Sequence, residues 1–211
     1  MKYKIKAVIF DLDGVLLDAR EWHFEALNKA LDIFGIEITL NEHLEFYDGL
    51  PTRVKLKKLS EIKGLPYNLH DLINNLKQRF TSDLIHTKCS PYFAHEFLMS
   101  KLKQNNIKMA VASNSVSKTV TLAMNYTNLG KFMEFCLSNE DVKKPKPDPE
   151  IYNTAINKLG FNPKEVLIIE DNFNGIKAAK ASGGHLLEVG SIEEVTLNNV
   201  ISRIKEIENS L

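Results

Sequence analysis

An α/β fold, with a parallel, doubly wound, Rossmann-like sheet and a block of helices inserted near its start, is predicted by three observations. Short apolar runs rich in β-branched residues recur along the chain without helical periodicity, as suits strands buried on both faces. These runs alternate with amphipathic stretches of helical spacing, the signature of repeated strand–helix units. One interval, residues 17–86, breaks the alternation with helices alone. The flanking segments, 1–16 and 87–211, then form one core domain, and 17–86 forms an inserted helical cap.

The first run, Ala7-Val8-Ile9-Phe10, delivers Asp11-Leu12-Asp13-Gly14-Val15 at its end. Residues 16–20 read as irregular. From Glu21 onward Trp22, Ala26, Leu27, Ala30, Leu31 and Phe34 recur at three- and four-residue spacing, and Gly35 ends that helix. Amphipathic stretches follow at 40–46, 52–62 and 69–85, punctuated by Gly49-Leu50-Pro51 and Gly64-Leu65-Pro66. No strand-like run falls between Thr39 and His86. Alternation then resumes: helix 93–104, strand 108–112, helix 116–124, strand 135–138, helix 149–159. The most apolar strand, 165–169, ends at Glu170-Asp171, before helix 173–181, strand 185–189 and a final amphipathic helix over 192–207.

Composition bounds the function classes. A 211-residue chain that is 44% hydrophobic and 26% charged can bury a substantial core. Lys+Arg and Asp+Glu are equal at 27 each, so no global charge favours nucleic acid or an acidic membrane. No apolar stretch reaches the length of a membrane span. The lead-in Met1-Lys2-Tyr3-Lys4-Ile5-Lys6 is charged but has no apolar leader region. Cys89 and Cys136 form no CxxC pattern and read as free thiols of a reducing compartment. The expectation is a soluble cytoplasmic protein, a monomer by default.

Four polar groups sit just after predicted strands or in the following loops: Asp11/Asp13, Ser113/Asn114, Lys144 within Lys143-Lys144-Pro145-Lys146-Pro147-Asp148, and Glu170/Asp171. In a parallel sheet these loops gather at one edge. Carboxylates that crowd together repel unless a cation sits among them, and an oxygen-only set suits Mg²⁺. A hydroxyl, an amide, helix-start N–H groups and a lysine make a cradle for phosphate. A carboxylate beside the metal can attack phosphorus and form an aspartyl-phosphate.

With these motifs in order, the sequence resembles the haloacid dehalogenase superfamily, in its branch of phosphoglucomutase-like and phosphoglycolate-phosphatase-like members with a helical cap after the first motif. The resemblance covers essentially the whole chain: Asp11-Leu12-Asp13-Gly14-Val15, Ala112-Ser113-Asn114, Lys144-Pro145-Lys146-Pro147-Asp148 and Glu170-Asp171-Asn172-Phe173-Asn174-Gly175 look like its four motifs. It implies that Asp11 is nucleophile and metal ligand, and that Asp13 is general acid/base with a ligating main-chain carbonyl. Asp171 is implied as a further ligand, with Glu170 beside it among the metal residues in a supporting role. Ser113, Asn114 and Lys144 would hold the phosphoryl group, leaving Lys143 and Lys146 as solvated loop cations. Asp13 favours phosphate esters, because dehalogenating and phosphonate-cleaving branches lack that carboxylate and an alkoxide leaving group needs a proton donor.

In the cap, His23 resembles a histidine that couples closure to the acid/base, and Arg53 after Gly49-Leu50-Pro51-Thr52 resembles a substrate-loop arginine displaced by one residue. Lys77 and Arg79 are further candidates, with a solvated helix face as their plainer reading. Ala19 stands where the mutase branch carries a hinge hydroxyl. The expected function is a Mg²⁺-dependent phosphatase acting on a small phosphorylated metabolite, such as a sugar phosphate. The alternatives are a phosphosugar mutase and, from other classes, a phospho-accepting receiver or a non-catalytic binding protein.

Overall fold

In a computed structural model, described over residues 4–210, five parallel strands lie in the order β3-β2-β1-β4-β5. Strand β1 (Ala7–Phe10) is central, paired in register with β2 (Lys108–Ala112) on one side and β4 (Val166–Glu170) on the other. The order reverses at β1, which puts the crevice for a ligand just beyond its carboxyl end. Residues alternate across it: Val8 and Phe10 join one apolar cluster, Ala7 and Ile9 the other. Met1–Tyr3, half of the charged lead-in, lie outside the described residues.

Between β1 and β2 the regular elements among the described residues are helices. The chain forms α1 (Arg20–Asp32), a single turn α2 (Leu40–Glu42) running into a π-type turn His43–Tyr47, α3 (Thr52–Lys63), α4 (His70–Lys88) and α5 (Phe93–Gln104). Thr39 caps α2 in a reciprocal box with Glu42, and left-handed Gly64 ends α3. Leu27, Leu31, Ile38, Tyr47, Leu56, Leu59 and Ile73 close a separate apolar core among these helices. The helix expected to stop near residue 85 runs to Lys88.

Strand–helix alternation follows: α6 (Ser117–Tyr126), β3 (Phe135–Leu137), α7 (Glu150–Leu159), α8 (Phe173–Ser182), β5 (His185–Glu188) and α9 (Leu197–Asn209). Side chains of α5, α6 and α9 cover one face of the sheet, and those of α7 and α8 the other. The helix predicted over 192–207 starts only at Leu197. Thr196 adopts an extended backbone there and its hydroxyl accepts the Asn199 N–H, a local cap that beats continuation of the apolar stripe.

Candidate active site

The turn after β1 is built around Gly14. Its φ of +92° reverses the chain, and a Cβ there would overlap the Asp171 carboxylate, so glycine meets two demands at once. Asp11 and Asp13 leave this turn toward a cleft shared with Ser113, Lys146, Glu170 and Asp171 from the core and with Arg20, His23, Thr52, Lys55 and Lys77 from the helical block.

Lys146 occupies the centre of the charge cluster. Only 3% exposed, its Nζ donates to Asp11 Oδ1 at 2.7 Å, Glu170 Oε1 at 2.7 Å and the Ala112 carbonyl at 2.8 Å. Lys144, expected in that place, points away: its side chain is 74% exposed and lies 3.9 Å from Asp148. Backbone clamps explain the exchange. Asn114 Oδ1 accepts the Lys146 N–H and Asn114 Nδ2 donates to the Lys146 carbonyl, fixing that residue over the sheet edge. The N–H groups of Lys143 and Lys144 instead donate to Glu150 at the start of α7, which holds them on the outer side of the loop. The assignment of Lys146 as a solvated cation is thus reversed.

Asn114, expected on phosphate, is itself spent on architecture, since its Nδ2 also donates to the Gly49 carbonyl of the helical block. Ser113 is fully buried, and its Oγ accepts the Ser115 N–H. It is not the cap of α6, which begins four residues later behind Val116. Glu170 lies at the end of β4 with no exposure. Its Oε1 accepts from Lys146 and the Tyr152 hydroxyl, and its Oε2 accepts the N–H groups of Asp171 and Asn172. These four bonds make Glu170 the anchor that orients Lys146, and leave it poorly suited as the metal ligand the sequence suggested. Gly175 faces it, where any Cβ would overlap the carboxylate.

Charge in the cleft is unbalanced in an informative way. Burial raises the Asp11 pKa well above its usual value, Glu170 adds to this, and Lys146 opposes it without winning. Burial and the Glu170 charge likewise push Asp171 up to about 6, against the pull of Arg20. Carboxylate oxygens of Asp11, Glu170 and Asp171 come within 4.8 Å of one another, and Asp171 Oδ1 and Asp13 Oδ1 are buried with no hydrogen-bond partner among the described residues. The crowded carboxylates of Asp11 and Asp171, both with raised proton affinity, and the unpartnered Asp171 Oδ1 are the donor set a hard divalent cation fits.

Asp13 is the exception. Burial works to raise its pKa, but His23, the Ser115 hydroxyl and Lys77 outweigh it and hold the carboxyl at about 2. Ser115 Oγ donates to Asp13 Oδ2 at 2.7 Å, and His23 Nε2 lies 3.0 Å from the same oxygen. Burial drives His23 toward its neutral form, so the bond from Ser115 is the steadier contribution. Lys77 Nζ lies 3.1 Å from His23 Nδ1, which suits a neutral imidazole accepting there.

The candidates from the helical block divide. His23 and Lys77 reach the cleft, whereas Arg53 and Arg79 are exposed and Arg53 borders only a neighbouring pocket. Lys55, Arg20, Ser115 and Tyr152 were missed. Lys55 carried a readable signal: Thr52, Lys55, Leu56 and Leu59 share the buried stripe of α3, so a lysine sits on an apolar face. Arg20 Nη2 donates to Asp171 Oδ2 at 2.6 Å, and its Nε lies 3.8 Å from Asp48 Oδ2. Asp48 also accepts from Asn172 at 2.9 Å, so the loop after the π-type turn is docked on the core.

Known proteins resemble this chain in sequence and in fold. The family profile described as haloacid dehalogenase-like hydrolase matches residues 8–189. A phosphorylated carbohydrates phosphatase of Thermotoga maritima is 30% identical over 96% of this chain and 100% of its own length. A phosphoglycolate phosphatase of Aquifex aeolicus is 24% identical over 98% of this chain and 99% of its own. The crystal structure of beta-phosphoglucomutase from Clostridium difficile superposes with a TM-score of 0.83 at 24% identity, covering 96% of this chain and 98% of that one.

Proposed function

Because the chain belongs to the haloacid dehalogenase-like hydrolase family, we propose that it is a Mg²⁺-dependent phosphatase of small phosphorylated metabolites, working through an aspartyl-phosphate on Asp11. The single observation that carries this reading is the Asp11–Lys146–Glu170 triad, buried at the end of the central strand. Asp11 Oδ1 is pinned by Lys146, and its other oxygen is left to attack phosphorus in line with the leaving alkoxide. Lys146 offsets charge on the phosphoryl oxygens as they cross to Asp11, and buried Ser113 lines the same corner of the cleft. Asp13 protonates the leaving oxygen and afterwards takes a proton from the water that cleaves the acyl-phosphate. A phosphate group entering the cleft brings negative charge toward Asp13, which raises its proton affinity from the low value of the empty pocket.

Asp11 and Asp171, with the main-chain carbonyl of Asp13, would hold the Mg²⁺, which supplies positive charge to the transferring phosphoryl group when bound. Glu170 and Arg20 orient this set from behind. The helical block over residues 17–86 serves as a cap that shuts out bulk water, with Asp48 and Gly49 docked on Asn172 and Asn114.

Phosphate release from a panel of phosphorylated metabolites, with Mg²⁺ and with chelator, tests the reading. Metal-dependent release that disappears in Asp11→Asn is the expected result, and no release from any compound overturns it. The approach of His23 to Asp13 also suits a phosphosugar mutase, in which cap closure sets the state of the acid/base. Isomerisation of hexose 1-phosphates, followed by phosphorus NMR, separates that outcome from hydrolysis.

A further inference from the structure

We propose that Lys55 and Lys77 form a second anion subsite on the cap side of the cleft, so that the preferred substrates are phosphate esters carrying another anionic group, a carboxylate or a second phosphate. The proposal rests on the phosphatase reading and names its substrate class.

Two lysines from different cap helices, α3 and α4, line one cleft at 5% and 6% exposure. Buried lysines require a partner, because desolvating an ammonium without one is costly. The other cations of the cleft have theirs: Arg20 contacts Asp171 and Asp48, and Lys146 contacts Asp11 and Glu170. Lys77 lies against the neutral ring of His23. Among the described residues, no hydrogen bond or ion pair within 4.0 Å ends on Lys55 Nζ. The carboxylates whose charge reaches it are Asp48, already engaged by Asn172 and Arg20, and Asp13, already engaged by Ser115 and His23.

The cation surplus therefore lies on the cap side of the cleft that Asp11 enters from the core, where it would meet the non-transferring end of a substrate. Burial and the charge of Lys55 pull Lys77 down to about 7, and burial pulls Lys55 down to about 8. An anion between them relieves both costs. A neutral sugar hydroxyl would relieve neither. Thr52 and Gln78, beside them on the same helices, add a hydroxyl and an amide to the lining.

Two matched pairs of compounds test this: phosphoglycolate against 2-hydroxyethyl phosphate, and fructose 1,6-bisphosphate against fructose 6-phosphate. The native chain is assayed for phosphate release, and Asp11→Asn for binding by calorimetry, so that binding is read without turnover. In at least one pair the doubly anionic member is expected to lead by about tenfold or more in kcat/KM and in affinity. Adding Lys55→Met should shrink that lead below about threefold, whereas Lys55→Arg should keep most of it. Lys55→Met should also melt no lower than the native chain, since it removes a buried charge without a partner. Equal preference within both pairs overturns the subsite, as does a Lys55→Met loss shared equally by both members of a pair. A marked fall in melting temperature for Lys55→Met also overturns it, because the lysine would then have an internal partner. Absence of phosphate release overturns the phosphatase reading alone, since the calorimetric comparison still decides the subsite.

Discussion

Lys144 and Lys146 are separated by a single proline, yet substituting each with methionine should give opposite results. Lys146→Met leaves the buried carboxylates of Asp11 and Glu170 without the cation that lies 2.7 Å from each. Breaking a buried ion pair by removing one partner costs about 3–5 kcal/mol. For a chain of 211 residues, where each kcal/mol moves Tm by about 2–4 °C, the melting point should fall by about 6–20 °C. Removing a preorganised charge from the transferring phosphoryl group should lower kcat by about 10²–10³. Lys144→Met changes a side chain that is 74% exposed and 3.9 Å from its nearest carboxylate, so stability should stay within about 0.5 kcal/mol and kcat within about twofold. Differential scanning fluorimetry in chelator and phosphate release in Mg²⁺ read the two effects separately. If Lys144→Met abolished release while Lys146→Met kept it, the geometric argument would be refuted. A melting point for Lys146→Met within about 2 °C of native would refute the energetic one.

Gly175→Ala should destabilise the chain by more than about 2 kcal/mol and cost activity, because its Cβ displaces Glu170 and with it Lys146; thermal melts and phosphate release would show both. Calorimetric Mg²⁺ affinity should weaken by up to about tenfold per pH unit below about 6, where Asp171 takes up a proton, and Arg20→Gln should move that midpoint to higher pH. In chelator, the raised Asp171 pKa means the folded chain binds more protons than the unfolded chain between about pH 4 and about 6. Its contribution to stability should therefore fall as pH rises through that window, a slope that Asp171→Asn should remove from the denaturation profile. Asp13 carries the opposite sign: its contribution, present above about pH 4, should be lost as pH falls toward about 2, and Asp13→Asn should lack that loss.

The strand-end carboxylates were legible because a parallel strand buried on both faces must be apolar, so Asp11, Asp13, Glu170 and Asp171 stand out where each run stops. The helical block was legible from periodicity. Which lysine of the 143–148 loop turns inward was not, because that choice is made by Asn114 and Glu150, partners 32 and 6 residues distant from the backbone groups they bind. Resemblance to a loop position favours Arg53, but Pro51 and the start of α3 carry it outside the cleft, and Lys55, two residues on, faces inward. Arg20 was passed over as part of an irregular segment, although it opens α1 and reaches Asp171 across 151 residues of sequence. Tyr152 carries no signal in the sequence beyond its place in a helix. Its hydroxyl contact with Glu170 depends on how α7 crosses the sheet, which local spacing does not encode.

The bond from Asn114 Nδ2 to the Gly49 carbonyl has a consequence for swapping caps between relatives. The same amide group grips the Lys146 carbonyl, so one side chain reads the seating of the cap and the seating of the catalytic loop together. A grafted cap whose loop at 48–51 is a residue longer or shorter would take the Gly49 acceptor from the Asn114 side chain and leave it held by Lys146 alone. The transplant would then disturb phosphoryl transfer as well as substrate choice. A working chimera has to import the loop at 48–51 in its native length, or replace Asn114 along with the cap.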